Sequence, residues 1–115
     1  MKLQHKALAI ICALSVALVP RVALAGQVQA TWVHESLAGN RTACGTTWTN
    51  TEMEVASKTH RCGTNLTLTN PTNGATINVV VTDYSPNSRL DLTRTAFSHL
   101  ASPSVGRITV NVQQR

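Results

Sequence analysis

Two aspartates in the C-terminal half of the chain carry the side-chain type that general acid–base chemistry requires. Asp83 follows an apolar run, residues 77–81, and precedes a Ser-Pro-Asn-Ser turn. Asp91 lies between two leucines. An acid in that setting is expected to be partly desolvated, at a cost in free energy that a hydrogen-bond donor such as Arg89 can offset. A carboxylate at the end of a strand and another at the approach to a helix are well placed to face one groove.

A purely structural role for both aspartates stays open, because aspartates near turns and helix starts often cap backbone N–H groups. Other constellations are poorer. Ser57 and His60 with an aspartate suggest a nucleophilic triad, but Ser57 lacks the glycine-bounded turn of such a nucleophile. His60 and Cys62 suggest a metal site, although zinc usually takes four ligands with paired spacings and the sequence has no second pair. We therefore predict no metal and no cofactor.

The elements that position these residues are mainly strands. Apolar and polar residues alternate in four stretches, the pattern of half-buried strands. The apolar positions are Val28, Ala30 and Trp32; Leu66 and Leu68; Ile77, Val79 and Val81; and Ile108, Val110 and Val112. A Pro-Thr-Asn-Gly turn at residues 71–74 joins the second and third stretches as a hairpin. Thr93 is a candidate N-cap for one short helix, whose apolar face is Ala96, Phe97, Leu100 and Ala101.

The first part of the chain, residues 1–25, has the three parts of a secretory signal. Two lysines precede an apolar run over residues 7–19, and Ala23 and Ala25 present small side chains to a signal peptidase. The run is short for a bilayer core of about 30 Å. We therefore predict cleavage after Ala25, no stable membrane anchor, and one periplasmic or secreted domain of residues 26–115.

Removal of that segment changes the charge and the cysteine count. Three of the 10 lysine and arginine residues leave with it, but none of the 5 acidic residues does, and the remaining bases are scattered. This distribution argues against nucleic-acid binding. Cys12 also leaves, so Cys44 and Cys62 become a single pair in an oxidising compartment. We predict that they form a disulfide, which closes a loop of about 19 residues and is worth about 3 kcal/mol.

The two tryptophans, Trp32 and Trp48, can either pack in the core or stack on a ring face of a ligand. A tryptophan in a strand of a small domain is more often a core residue, which is our expectation for Trp32. Trp48 lies in a stretch rich in Thr, Asn and Gly, residues 40–50, that we interpret as a loop. Its sequence context leaves both roles open.

The order of the motifs resembles the double-psi β-barrel domain of the rare lipoprotein A (RlpA) family, with kinship to the expansin and barwin-like group. The segments that carry the resemblance are Ala-Thr-Trp at 30–32, Gly-Asn-Arg-Thr-Ala-Cys-Gly at 39–45, residues 53–59, Cys-Gly-Thr at 62–64, the hairpin of residues 66–74, Val-Thr-Asp-Tyr-Ser-Pro at 81–86 and Leu-Asp-Leu-Thr at 90–93. Each piece is weak, but their common order is specific. The resemblance implies an all-β fold, a six-stranded double-psi β-barrel with one short helix.

The resemblance also implies a surface groove that binds linear glycans. In RlpA-like proteins the activity is lytic cleavage of peptidoglycan, in which one carboxyl group protonates the glycosidic oxygen and the muramyl C6 hydroxyl closes an anhydro ring. A hydrolase, by contrast, uses two carboxylates. Asp83 matches the catalytic acid of the family, Asp91 matches the second groove acid, and Thr31 matches a hydroxyl position of expansin-like relatives. The expected partner is peptidoglycan or a related wall polysaccharide, and the expected state is a monomer.

Two departures separate the chain from RlpA-like sequences. Ser57 stands where they carry a histidine, and their Asp-Arg-Gly-Pro is Asp83-Tyr84-Ser85-Pro86 here. The Tyr84 loop and the two cysteines are more similar to the expansin-like relatives. We assign Asp91, Thr31, Tyr84 and Ser57 to the substrate-binding set and Asp83 to the catalytic role, and we expect glycan binding with slow or no cleavage. The alternatives are a non-catalytic, expansin-like wall-binding or wall-loosening module and a secreted enzyme inhibitor.

Overall fold

The computed structural model describes residues 26–115, so the predicted signal peptide lies outside the described residues. Six strands form a closed barrel. Their bounds are β1 Gly26–Trp32, β2 Glu54–Ser57, β3 Asn65–Thr69, β4 Thr76–Tyr84, β5 Leu90–Leu92 and β6 Arg107–Gln114. This part of the chain also contains a short α-helix, α1 (Arg94–Ser98), and two 3-10 turns, Glu35–Leu37 and Pro103–Val105. No helix within residues 26–115 is long and apolar enough to cross a membrane.

The strands follow one another around the barrel in the order β1, β5, β2, β4, β3, β6. The pairs β1–β5 and β2–β4 are parallel, whereas β6 with β1, β2 with β5, β3 with β4 and β3 with β6 are antiparallel. Since β5 lies between β1 and β2, residues far apart in the sequence become neighbours in the barrel wall. The all-β, six-stranded double-psi barrel predicted from the sequence is confirmed.

The barrel interior contains the apolar residues of the alternating strands. Side chains on a strand point alternately to its two faces, so one residue in two enters the core. Leu66 and Leu68 of β3 and Ile77, Val79 and Val81 of β4 are all buried, as the sequence predicts. The rest of the buried core cluster is Ala30, Val55, Leu90, Leu92, Ala96, Phe97, Leu100, Val110 and Val112.

Helix α1 begins at the predicted cap. Thr93 Oγ1 accepts a hydrogen bond from the backbone N–H of Ala96 at 3.2 Å, which is the usual N-cap arrangement. Ala96 and Phe97 are buried. The helix ends at Ser98, so Leu100 follows it instead of lying on its face, although Leu100 is still buried. The predicted start is therefore confirmed, whereas the placement of Leu100 and Ala101 on the helix is wrong, because the helix ends about one turn earlier.

Two short strands are not recognisable in the sequence. β2 has 4 residues, all of them buried, so polar Glu54 and Ser57 break any alternation with Val55 and Ala56. β5 has 3 residues, too few to show a period. These two strands lie between β1 and β4 in the barrel wall, and both carry residues of the site described next.

Candidate functional site

Four residues from four neighbouring strands form a row on the barrel surface. Thr31 of β1 pairs with Asp91 of β5, Asp91 pairs with Ala56 of β2, and Ala56 pairs with Asp83 of β4. Paired residues of adjacent strands present their side chains to the same face. Asp91 alternates with two buried leucines and therefore faces outward. The row brings both aspartates to one surface, with a single small residue between them.

A β-bulge determines the direction of Asp83. The pairing of β2 with β4 runs from Val55–Val81 directly to Ala56–Asp83, so that Thr82 is the extra residue. Strict alternation after the buried Val81 would turn Asp83 into the barrel interior. The bulge shifts the alternation by one residue and turns Asp83 to the outer face, as bulges beside functional sites commonly do.

Three donors hold Asp91. Its Oδ1 accepts hydrogen bonds from Thr31 Oγ1 at 2.8 Å and from Arg89 Nε at 3.1 Å. Its Oδ2 accepts one from Ser85 Oγ at 2.8 Å. Arg89 is thus the compensating donor that the sequence suggests. Thr31, which the sequence analysis assigned to substrate binding, contacts Asp91 and is not among the residues that line the groove described below. Asp91 therefore orders the wall of the site, and each of its oxygens already accepts a hydrogen bond from the protein.

Asp83 has one anchored oxygen and one open oxygen. Its Oδ1 accepts hydrogen bonds from the backbone N–H groups of Ala43 at 2.7 Å and of Tyr84 at 2.8 Å. Within residues 26–115, Oδ2 accepts no hydrogen bond, so this oxygen can meet a ligand. The two backbone donors therefore fix the orientation of the carboxyl group and leave its second oxygen free of hydrogen bonds within the described residues.

A groove of about 240 Å³ lies over Asp83 and Asp91. Tyr84 is 55% exposed and Leu37 is 46% exposed, and both line it. The other lining residues are Val33, Asn40, Arg41, Trp48, Ala56, Ser85 and Pro86. A groove with exposed apolar side chains beside two acids suits a ligand that has both apolar ring faces and many hydroxyl groups.

Three larger depressions lie elsewhere on the described surface. One, of about 610 Å³, lies between β1 and the loop of residues 87–89. The second, of about 720 Å³, lies beside α1. The third, of about 370 Å³, lies between the start of β1 and the end of β6. None of them is lined by an aspartate. The acidic chemistry predicted from the sequence therefore belongs to the smaller groove.

The sequence matches a family model described as lytic transglycolase over residues 26–112. The chain belongs to this family of double-psi β-barrels. An uncharacterized protein of Synechocystis sp. is 31% identical over 83 residues, which are 72% of this chain and 91% of that protein. The predicted membership of an RlpA-like family is confirmed.

Two solved structures, an expansin and a protease inhibitor, are similar in fold to this member of the lytic transglycolase family. A mutant expansin of Clavibacter michiganensis, in complex with cellohexaose, has a TM-score of 0.65 and 23% identity, over 80% of this chain and 50% of that chain. A Streptomyces papain inhibitor has a TM-score of 0.62 and 23% identity, over 81% of this chain and 99% of that chain. At these identities the likeness shows the fold alone.

The predicted disulfide between Cys44 and Cys62 is present, with an S–S distance of 2.07 Å. Cys44 follows Ala43, which donates to the carboxylate at the end of β4. Cys62 precedes Gly63, whose N–H donates to the backbone oxygen of Val81 at 2.8 Å. The bond therefore ties the loop that orients this carboxylate to a segment attached to the same strand. The Cys44–Cys62 bond thus stabilises the lytic transglycolase fold at the edge of the groove.

Ser57 is not among the residues that line the groove. Its side chain is buried, and its Oγ lies 3.0 Å from His60 Nδ1 and accepts the backbone N–H groups of His60 and Thr59. In the described part of the chain no carboxylate contacts His60, so the triad is not assembled. The alternative metal site needs His60 and Cys62, but the sulfur of Cys62 is bonded to Cys44. Residues 26–115 also contain no group of three or more His, Cys, Asp or Glu arranged for a metal.

The two tryptophans have different surroundings. Trp32 packs against the core, as expected, and its Nε1 donates to Pro103 O at 2.9 Å. The guanidinium of Arg94 lies 5.5 Å from the centre of its ring, a distance at which a cation and an aromatic ring attract. Trp48 is 4% exposed and lines the groove. It contributes to the groove as a buried wall residue, and the exposed aromatic side chain of the site is Tyr84.

Glu54 is a buried acid that the sequence analysis missed. It is the first residue of β2 and is 8% exposed. Burial raises the pKa of its carboxyl group above the ordinary value, hydrogen bonds from Thr49 oppose the rise, and the negative charge of Glu52 adds to it. A recognisable β2 would have drawn attention to Glu54, because a carboxylate in a fully buried strand is rare.

Proposed function

We propose that this protein binds peptidoglycan glycan strands in the groove over Asp83 and Asp91 and cleaves them slowly by a lytic reaction. The observation that carries the proposal is the open Oδ2 of Asp83 in that groove, next to an Asp91 whose two oxygens are both engaged. A single available carboxyl group fits lytic chemistry, whereas hydrolysis uses two. Membership of the lytic transglycolase family supports the same reaction class.

In the proposed mechanism Asp83 acts first as an acid and then as a base. Its Oδ2–H protonates the glycosidic oxygen as the C1–O bond breaks. The C6 hydroxyl of the muramyl residue attacks C1 and passes its proton to the Asp83 carboxylate, so an anhydro ring forms and no water is consumed. The N–H groups of Ala43 and Tyr84 hold Oδ1 throughout, and Asp91 keeps Ser85 in place.

The proposed setting is an oxidising compartment, since disulfides persist in periplasmic and extracellular proteins. The bond between Cys44 and Cys62 supports export. We infer that residues 1–25 are removed and that residues 26–115 act as a monomer on wall polysaccharide, without a metal, a cofactor or a nucleic-acid partner.

A non-catalytic wall-binding or wall-loosening module of the expansin type is the second candidate. Ser57 favours it, because its buried side chain is directed at His60 and supplies no titratable group to Asp83. Such a group is typically worth about 10²- to 10⁴-fold in rate. The fold likeness to an expansin solved with cellohexaose supports the same candidate. Under this alternative the groove binds glycan and releases no product.

The test is incubation of the purified protein with intact sacculi and with peptide-stripped glycan strands, followed by mass analysis of the products. Anhydro-muropeptides released by the wild type and absent with Asp83→Asn support the lytic reaction. Co-sedimentation with sacculi without any product supports the wall-binding module. Absence of both binding and products rejects a glycan function. The remaining candidate is then an enzyme inhibitor, a role for which the fold likeness to the Streptomyces papain inhibitor is the support.

A further inference from the structure

Arg41 is the one basic residue among the described residues that line the groove. The ion pairs within residues 26–115 join Arg89 to Asp91 and Arg94 to Glu35, and Arg41 takes part in neither. Its side chain is exposed. The guanidinium of Arg41 is therefore available to a ligand, while the charge of Arg89 is already matched by the carboxylate of Asp91.

The backbone beside Arg41 is held firmly at the rim of the groove. Thr42 N donates to Thr46 O at 2.7 Å, and the hydroxyl oxygens of Thr42 and Thr46 are also 2.7 Å apart. The next residue, Ala43, donates its N–H to Asp83 Oδ1. Arg41 thus precedes a turn that is bonded to the proposed catalytic acid, so the position of its backbone relative to Asp83 is defined.

The guanidinium itself lies close to that turn. Its Nη2 lies near Gly45, in the same turn. Guanidinium groups bind carboxylates through two parallel N–H···O bonds, which gives directional recognition.

We propose that Arg41 forms a subsite for a carboxylate carried by the glycan, so that the groove selects acidic over neutral β-linked glycans. This inference rests on the proposed function and adds to it the residue that selects the charge of the glycan. Tyr84 and Leu37 offer apolar contacts that acidic and neutral sugar rings share, so they do not discriminate between the two. In peptidoglycan the carboxylate comes either from the lactyl ether of the muramyl residue or from the stem peptide.

The experiment compares three ligands by calorimetry: chitin oligosaccharides, which are neutral, peptide-stripped glycan strands, which keep the lactyl carboxylate, and strands that keep their stem peptides. The proteins are the wild type, Arg41→Gln, Arg41→Lys and the control Arg115→Gln. The control removes the same charge from an exposed C-terminal residue that lines none of the depressions described above. A thermal melt of each variant checks the fold.

We expect the wild type and Arg115→Gln to bind acidic strands about fivefold more tightly than chitin oligosaccharides, as an exposed charge pair allows. Arg41→Gln loses this preference and keeps its affinity for chitin oligosaccharides, and Arg41→Lys keeps part of it. Preference for the peptide-stripped strands assigns the subsite to the lactyl group, and preference for peptide-bearing strands alone assigns it to the stem peptide. Equal affinity of the wild type for neutral and acidic strands overturns the inference and leaves glycan binding intact. Binding of no glycan at all overturns both.

Discussion

The carboxylate of Asp83 accepts a hydrogen bond of 2.7 Å from the backbone N–H of Ala43, across 40 positions of the chain. Ala43 directly precedes Cys44, whose sulfur is bonded to Cys62. The orientation of the proposed catalytic acid therefore depends on a loop that a covalent bond holds in place. Stability and function of this groove are coupled through a single segment of backbone.

The first prediction concerns that coupling. Replacement of both cysteines, Cys44→Ser with Cys62→Ser, is expected to lower the free energy of unfolding by about 3 kcal/mol, the chain-entropy value for a loop of this length. The folded fraction of the variant is also expected to bind glycan more weakly, because Ala43 no longer holds Asp83. Urea unfolding and calorimetry with glycan strands measure the two effects. Two freely alkylated thiols in native, unreduced protein would refute the bond, and unchanged binding by the folded variant would remove the positioning role of the loop.

The second prediction separates the two aspartates. Asp83→Asn is expected to abolish cleavage, since an amide cannot deliver a proton, and to keep the fold, since the amide oxygen still accepts both backbone N–H groups. Asp91→Asn is the matched comparison. It removes the charge that Arg89 meets and is expected to lower the free energy of unfolding by about 1–3 kcal/mol. Product analysis and urea unfolding distinguish these outcomes, and full cleavage by Asp83→Asn would take the acid role away from Asp83.

The third prediction concerns the exposed aromatic side chain. Tyr84→Ala is expected to weaken glycan binding about tenfold, the equivalent of about 1.4 kcal/mol, because the apolar contact with a sugar ring is lost. Stability should change little, since Tyr84 is 55% exposed. Val105→Ala is the control, because Val105 is 58% exposed and is not a groove residue. Equal affinities of the two variants would show that Tyr84 is not a binding residue.

The fourth prediction follows from Glu54, whose folded pKa is raised above the ordinary value of 4.5 by burial. Between these two pKa values the folded protein binds more protons than the unfolded chain, so the free energy of unfolding falls as the pH rises through this window. The folded protein therefore has the full benefit of a protonated Glu54 at pH values below the pKa of this residue in the unfolded chain, and it loses that stability as the pH rises through the folded pKa. Glu54→Gln keeps the shape and removes the titration, so it is expected to flatten this dependence and to be more stable than the wild type at neutral pH. Urea unfolding over a pH series measures it, and identical pH profiles of the two proteins would contradict it.

Local patterns were sufficient for the regular elements of the barrel. Leu66 and Leu68, and likewise Val79 and Val81, stand two positions apart. This spacing predicts β3 and β4, because a half-buried strand must place every second residue in the core. Thr93 predicts the start of α1, because an N-cap acts only on the backbone of the next three residues. These signals lie within a few positions of one another, so no knowledge of distant segments is needed.

The sequence by itself also determined the cysteine pair and the acids of the candidate site, since Cys44 and Cys62 are the two cysteines outside the predicted signal peptide and Asp83 and Asp91 match the motifs of a known family. Only the tertiary structure decided where these acids point. Their common face depends on β2 and β5, which are too short or too uniformly buried to have a period, and on the bulge at Thr82. A bulge is a mismatch between two paired strands, and its position follows from the register of strands that are distant in the chain. No local pattern contains that register. The sequence therefore identifies Asp83 as a candidate acid, and only the folded barrel determines that its side chain faces the groove.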